Sequence, residues 1–239
     1  TKDSVNLNKD LILYYNFEDG SAKDISGNNN DGFLQNETYK VNGKQGNGLR
    51  LVGKGISTNE GGHVDLPIIN FSGLGDFSIS LWVFEENWTY EGGNAYFSWG
   101  DETSGILGIF SQWGRPRYDL SRHTKFSVGS TWSYYDDNSD PNNILMLDKS
   151  YSDSEKLNTW VFYALNYKNG VIYAYRNGEM IGSLAQKVKI GLSKGGINRH
   201  WWHNGAQSSS RMTGIVDEFR VYKRALNDNE IKRLYFTLP

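Results

Sequence analysis

Aromatic and polar side chains crowd together at several points along the chain, and their types suit a ligand with flat apolar faces and a rim of hydroxyls. Asn198-Arg-His-Trp-Trp-His203 sets two adjacent tryptophans between histidines in a segment bordered by glycine and serine. Trp88-Thr-Tyr90, Trp99-Gly-Asp101 and Trp132-Ser-Tyr-Tyr-Asp136 have the same character. So does Gln112-Trp113-Gly-Arg115, continuing through Arg117, Tyr118, Arg122 and His123. Indole and phenol rings join an apolar body to a polar tip, and nearby arginine, histidine and carboxylate groups add charge-assisted hydrogen bonds. The candidate ligand surface is therefore Trp88, Tyr90, Trp99, Trp113, Arg115, Tyr118, His123, Trp132, Tyr134, His200, Trp201 and Trp202. Core packing is the alternative for any one ring, but the cluster at 199–203 cannot all face the core. His200 and His203 as a metal pair is a weaker reading, because their spacing on a loop fixes no geometry.

A second pattern is oxygen-rich. Residues 24–31 present side-chain oxygens at Asp24, Ser26, Asn28, Asn30 and Asp31, the donor type that hard cations take. Asn29 and Gln35 stand where an EF-hand loop needs glycine and glutamate, so the segment is not one. An Asx-rich turn bonded to its own backbone is the competing reading.

The elements that must position these groups read as strands. Alternating apolar and polar runs, rich in β-branched and aromatic residues, fall at 11–17, 48–52, 63–66, 77–84, 95–99, 106–110, 143–147, 160–166, 171–176, 179–184, 188–190 and 214–222. Asn169-Gly170 and Asn177-Gly178 are hairpin turns. Phe77, Ile79, Leu81 and Val83 share one face; Trp82, on the other, is either covered by loops or partly exposed. Alternation in the last strand puts Asp217 beside Ile215 and Phe219. One short helix follows, with Asn227 as cap, Glu230 completing a capping box, and Ile231, Leu234 and Tyr235 as its apolar stripe. Segments 85–94 and 129–140 lack periodicity and read as long loops, where function concentrates. The expectation is an all-β antiparallel sandwich with one short C-terminal helix, residues 1–239 forming one domain.

Composition narrows the function. The 239 residues carry a net charge of −2 with both signs scattered, which disfavours a nucleic-acid partner. No cysteine is present, so disulfides and thiolate metal sites are excluded. No apolar run has transmembrane length, and a polar start without methionine is consistent with removal of a leader.

Leu11-Ile-Leu-Tyr-Tyr-Asn-Phe-Glu-Asp-Gly20, then Asp24-Ile-Ser-Gly-Asn28 and Asn30-Asp31-Gly32, resembles the opening of a laminin-G-like (concanavalin A-like) jelly-roll domain. Gly48-Leu-Arg-Leu-Val-Gly53, Phe77-Ser-Ile-Ser-Leu-Trp-Val83, Ile172-Tyr-Ala-Tyr-Arg-Asn-Gly178, Gly214-Ile-Val-Asp-Glu-Phe-Arg-Val-Tyr222 and Arg224-Ala-Leu follow in order, so the likeness spans nearly the whole chain. The resemblance implies paired terminal strands. It also implies a structural calcium held between the first loop and the closing strand, by Asp31 and Asp217 first, then Glu18, Asp24 and Asn28. A hydrogen-bonded carboxylate is the alternative for Asp217.

Related sandwiches include hydrolases and lyases. The Glu-x-Asp-x-x-Glu and Glu-x-Asp-x-Glu strands of retaining hydrolases, which align two carboxylates on one face, have no counterpart here. Glu85-Glu86 and Asp217-Glu218 are adjacent and point apart. A lyase echo, Tyr167-Lys-Asn-Gly170 with Tyr173, lacks its Gln-Ile-His partner; His123, Arg115, Arg117 and Tyr118 remain as possible lyase groups. The sequence thus predicts a non-catalytic carbohydrate-binding module of a secreted, periplasmic or surface-exposed bacterial protein, part of a larger chain. The alternatives are a protein–protein adhesion or spacer module and, less favoured, a polysaccharide lyase or glycoside hydrolase.

Overall fold

The computed structural model describes residues 5–54, 60–87, 94–101, 105–111, 124–130, 146–148, 157–185, 188, 190, 192–202, 207–209 and 212–236. Two antiparallel sheets pack as a sandwich. Sheet I runs, in spatial order, β13 (Glu179–Ala185), β12 (Val171–Arg176), β11 (Trp160–Lys168), β6 (Phe77–Asn87), β17 (Thr213–Tyr222), β4 (Asn47–Leu51) and β3 (Thr38–Asn42), with β1 (Leu11–Tyr15) also on β17. Sheet II runs β10 (Met146–Asp148), β9 (Thr124–Ser130), β8 (Gly105–Ser111), β7 (Asn94–Asp101), β14 (Gly195–Ile197), β5 (His63–Leu66) and β2 (Phe33–Gln35). β15 (His200–Trp202) and β16 (Gln207–Ser209) pair with each other, and β15 meets β7 through one parallel pairing, Trp201 with Asp101. As the pattern predicts, the first and last strands pair, Tyr15 opposite Phe219.

The Asn-Gly turns form as expected: φ is +50° at Asn169 and Asn177 and +80° at the glycine after each, the geometry that matches the twist of a two-residue hairpin. The core lies between the sheets. Phe77, Ile79, Leu81 and Val83 of β6 all point into it. Phe219 of sheet I meets Phe97 and Trp99 of sheet II at centroid separations of 5.6 and 6.2 Å. Phe71, opening the short α1 (Phe71–Leu74), fills one end against Phe77 and Trp99 at 5.0 and 4.9 Å.

Strict alternation in β17 would place Phe219 with Asp217, and here the structure corrects the sequence reading. Pairing with β6 slips between Asp217 and Arg220, and Glu218 adopts φ +56°. The extra residue is a β-bulge, which switches the faces beyond it. Val216, Phe219 and Val221 all reach the core, while Asp217 stands on the outer face with its partner Trp82. Glu218 is held in place by the Tyr14 hydroxyl at 2.8 Å and by Arg220, whose guanidinium also lies over the Tyr14 ring at 3.9 Å.

Trp82 is covered by α2 (Asp228–Phe236) and by one loop residue: Tyr235 stacks on it at 5.4 Å, Ile231 and Leu234 seal the same patch, and the Lys44 ammonium lies 4.5 Å from its ring centroid. The capping box is present in both directions, Glu230 N to Asn227 Oδ1 at 3.0 Å and Asn227 N to Glu230 Oε2 at 2.9 Å. The strands β2, β3, β9, β14, β15 and β16 are additions to the sequence reading, whereas Val188 and Ile190 lie outside any strand.

Burial raises the pKa of Glu230, but the Arg224 fork at 2.8 and 2.7 Å and the Asn227 amide outweigh it and hold the carboxyl below its ordinary 4.5. A depressed carboxylate contributes stability that is complete above its unfolded-state value and is lost as pH falls through the folded one. Glu230→Gln is expected to cost about 1 kcal/mol at neutral pH in urea titrations. The difference should shrink as pH falls below 4.5; a cost independent of pH would refute the assignment.

Candidate functional site

In β5, Val64 and Leu66 point into the core, so His63 and Asp65 stand on the outer face of sheet II. The neighbouring β2 sets Phe33 opposite Asp65 and Gln35 opposite His63, which brings all four side chains to one face. Gln35 Nε2 donates to Asp65 Oδ2 at 2.9 Å. Phe33 is 69% exposed, a large apolar ring in solvent beside a carboxylate and an amide. Arg199 arrives from far along the chain: its Nη1 lies 3.3 Å from Asp65 Oδ1 and contacts His63 Nε2.

A turn after β14 places Arg199. Asn198 adopts φ +56°, a conformation asparagine tolerates better than most residues. Its buried amide donates to the carbonyls of Gly62 and Met212 at 2.8 and 2.9 Å, and its Oδ1 accepts the Met212 N–H at 2.9 Å. Asn198 N–H also binds the Tyr96 carbonyl, and Ser98 Oγ donates to the Arg199 carbonyl at 2.5 Å.

Two side chains converge on Asp65 Oδ1, Arg199 Nη1 at 3.3 Å and His63 Nε2 at 3.5 Å, while His63 Nδ1 lies 2.7 Å from the Gly61 carbonyl. Burial raises the Asp65 pKa, but polar contact with His63, the Arg199 charge and the Gln35 amide outweigh it and hold the carboxyl below the usual range. Burial lowers the Arg199 pKa, with Asp65 opposing.

The sequence-chosen aromatics fare differently. Trp99 is corrected: it is fully buried between the sheets, donates its indole N–H to the Pro67 carbonyl at 3.0 Å and cannot meet a ligand. Gly195 makes room for it, since a Cβ there would collide with the indole. His200 is only 7% exposed and packs edge-on against Phe110 at 5.7 Å. Trp201 and Trp202 lie in β15, but their side chains, with Trp88, Tyr90, Trp113, Arg115, Tyr118, His123, Trp132 and Tyr134, fall outside the described residues.

The proposed cation ligands separate into two groups. Asp24 accepts the N–H of Tyr14, Ser26 and Asn30, each at 2.9 Å, and Asp31 accepts the Asp24 N–H at 2.7 Å. Asn28 donates to the Leu11 carbonyl. In that loop Asp24 and Asp31 accept backbone N–H groups in the manner of an Asx-rich turn. Glu18 and Asp217 instead approach the turn at 43–47 from two sides: Glu18 Oε2 accepts Asn47 N–H at 3.1 Å and Asp217 Oδ2 accepts Gln45 N–H at 2.9 Å. A Cβ on Gly43 would lie 2.6 Å from Asp217 Oδ2, and one on Gly46 would overlap Glu18. Burial pushes the Asp217 carboxyl up to about 7 although the Gln45 amide opposes it. Among the described residues no three His, Asp or Glu side chains converge.

The profile of the concanavalin A-like lectin/glucanases superfamily matches residues 58–232, most of the chain. The chain belongs to that superfamily. Similar solved structures include domain 4 of AbnA, a GH43 extracellular arabinanase from Geobacillus stearothermophilus, in complex with arabinotriose. It is 20% identical with a TM-score of 0.68, over 94% of this chain and 98% of that domain. The binding domain of botulinum neurotoxin DC in complex with rat synaptotagmin II is 17% identical with a TM-score of 0.68, over 98% of this chain and 53% of that one. The binding domain of Paraclostridial mosquitocidal protein 1 is 19% identical with a TM-score of 0.65, over 96% and 52%. Comparison with curated protein sequences gave no match.

The sequence reading passed over Phe33, Gln35, His63 and Asp65. A signal existed in His63-Val-Asp65-Leu, where polar residues alternate with core residues. Asn198→Ala removes three side-chain bonds and is expected to cost about 3 kcal/mol in urea unfolding. Phe33→Ala should change stability by less than about 0.5 kcal/mol. Equal costs for the two variants would show that the turn is not the anchor described.

Proposed function

We propose that residues 1–239 act as one non-catalytic carbohydrate-binding module of an exported bacterial protein, with a structural calcium ion. The observation that carries this reading is the Phe33 ring in solvent beside Gln35 and Asp65, an apolar platform flanked by acceptors and donors on the outer face of sheet II. Pyranose and furanose rings have C–H faces that pack on aromatic rings and hydroxyls that need charge-assisted partners. The neighbours lend support. An arabinanase domain of nearly the same extent forms a complex with arabinotriose, and cell entry of botulinum neurotoxin type C depends on interaction with two ganglioside molecules. The adjacent carboxylates of β6 support a binding rather than a hydrolytic role: Glu85 is buried against Tyr96, while Glu86 pairs with Arg50 at 2.7 Å on the other face.

Calcium would be held by Glu18 and Asp217 at the 43–47 turn, an all-oxygen donor set of the kind hard cations take. When bound it would supply positive charge to a buried carboxylate and tie β17 to that turn.

Affinity electrophoresis across plant, bacterial and animal glycans should retard the chain on at least one, and Phe33→Ala should weaken that retardation about tenfold. Binding of none with calcium supplied would defeat the proposal. Separately, calcium at 100 times its dissociation constant should add about 2.7 kcal/mol to stability. Glu18→Gln combined with Asp217→Asn should abolish that gain; a melting temperature indifferent to calcium and chelator would remove the ion from the account.

A further inference from the structure

We infer that the Phe33–Gln35–Asp65 edge selects neutral sugars presenting a vicinal pair of hydroxyls and rejects uronates, sialates and sulfated glycans. The inference rests on the carbohydrate-binding reading and assigns the ligand class to this particular site. The anchoring carboxylate is ionised, because His63, Arg199 and Gln35 hold Asp65 in its charged form. Each carboxylate oxygen has two lone-pair directions. Gln35 takes one on Oδ2, and Arg199 and His63 both face Oδ1. The Asp65 side chain keeps 37% of its surface in solvent, so further acceptor directions remain open toward the exposed side. Two adjacent hydroxyls of a sugar ring offer a pair of donors to such a carboxylate, and their ring's C–H face can then lie against Phe33, which stands directly across the strand pair.

The relative exposure of the charges argues against an acidic ligand. Arg199 already faces Asp65, and its side chain is 16% exposed against 37% for the carboxylate. An approaching anion therefore meets the fixed carboxylate first, a juxtaposition that disfavours the wrong partner. Neutral polyols incur no such penalty.

Titration calorimetry with calcium present would compare arabinan, galactan and cello-oligosaccharides with polygalacturonate, sialyllactose and heparin. The expectation is binding confined to the neutral set, with Phe33→Ala and Asp65→Asn each weakening it about tenfold or more. Phe33→Ala removes an exposed ring and leaves the fold intact, so it remains informative if Asp65→Asn lowers the melting temperature by releasing Arg199. Binding of acidic glycans in preference to neutral ones, or neutral binding untouched by Phe33→Ala, overturns the assignment and leaves the carbohydrate-binding reading standing. No binding by any probe overturns both.

Discussion

Phe219 reaches Phe97 and Trp99 only because Glu218 takes a left-handed backbone conformation, and the two sheets close on that contact. A non-glycine residue in this region is uncommon and must be held by its surroundings. Tyr14 and Arg220 hold it here, and Tyr14 belongs to β1, so the first strand secures the conformation of the last. Without the bulge, Val216 and Phe219 would face opposite ways and the core would lose its central aromatic. The same bulge leaves Asp217 on the outer face, where the 43–47 turn must satisfy it. One local backbone choice therefore sets the core and also the buried carboxylate nearest the candidate cation position.

Sheet II obtains its outer-face cluster differently. Its described groups come from the β2–β5 margin and from the turn after β14. Asn198 is central because its amide joins two chain segments that are remote in sequence, 62 and 212, and orients the residue that follows it. Arg199 then faces Asp65, and His63, held by the Gly61 carbonyl, points its other ring nitrogen at the same carboxylate. The outcome is a cluster of mixed polar and charged groups next to an exposed ring, a different character from a patch of like-charged groups.

Much of this architecture was legible in the sequence where local patterns are strong. The Asn-Gly hairpins, the alternation in β6, and the Asn227–Glu230 capping box each rest on interactions within a few residues, and all three appear in the structure. The short strands Gly195–Ile197 and Gln207–Ser209 were not legible, because glycine and serine have little strand preference of their own and pair only when neighbours supply partners. The Glu218 bulge was hidden for a similar reason: Ile-Val-Asp-Glu-Phe alternates acceptably in either register. Trp99 looked like a ligand residue from its company, Gly100 and Asp101, yet its partner across the strands is Gly195, nearly a hundred residues on. The candidate site was half legible. Arg199 drew notice through its aromatic neighbours, whereas Phe33 and Asp65 meet only through strand pairing.

The passage from β2 to β3 takes only Asn36 and Glu37, and it carries the chain from sheet II to sheet I. Both residues are pinned on the way, Asn36 by its amide to the Gly61 carbonyl and Glu37 by its carbonyl to Val52 N–H. A three-residue strand pulled alone would peel away from its neighbour one hydrogen bond at a time. Here a tug on Phe33 passes within a few residues to β3 and its antiparallel pairing with β4, so both sheets share the tension. The exposed ring thus sits on a strand whose continuation is tied into the other sheet, so displacing that edge disturbs both layers of the sandwich.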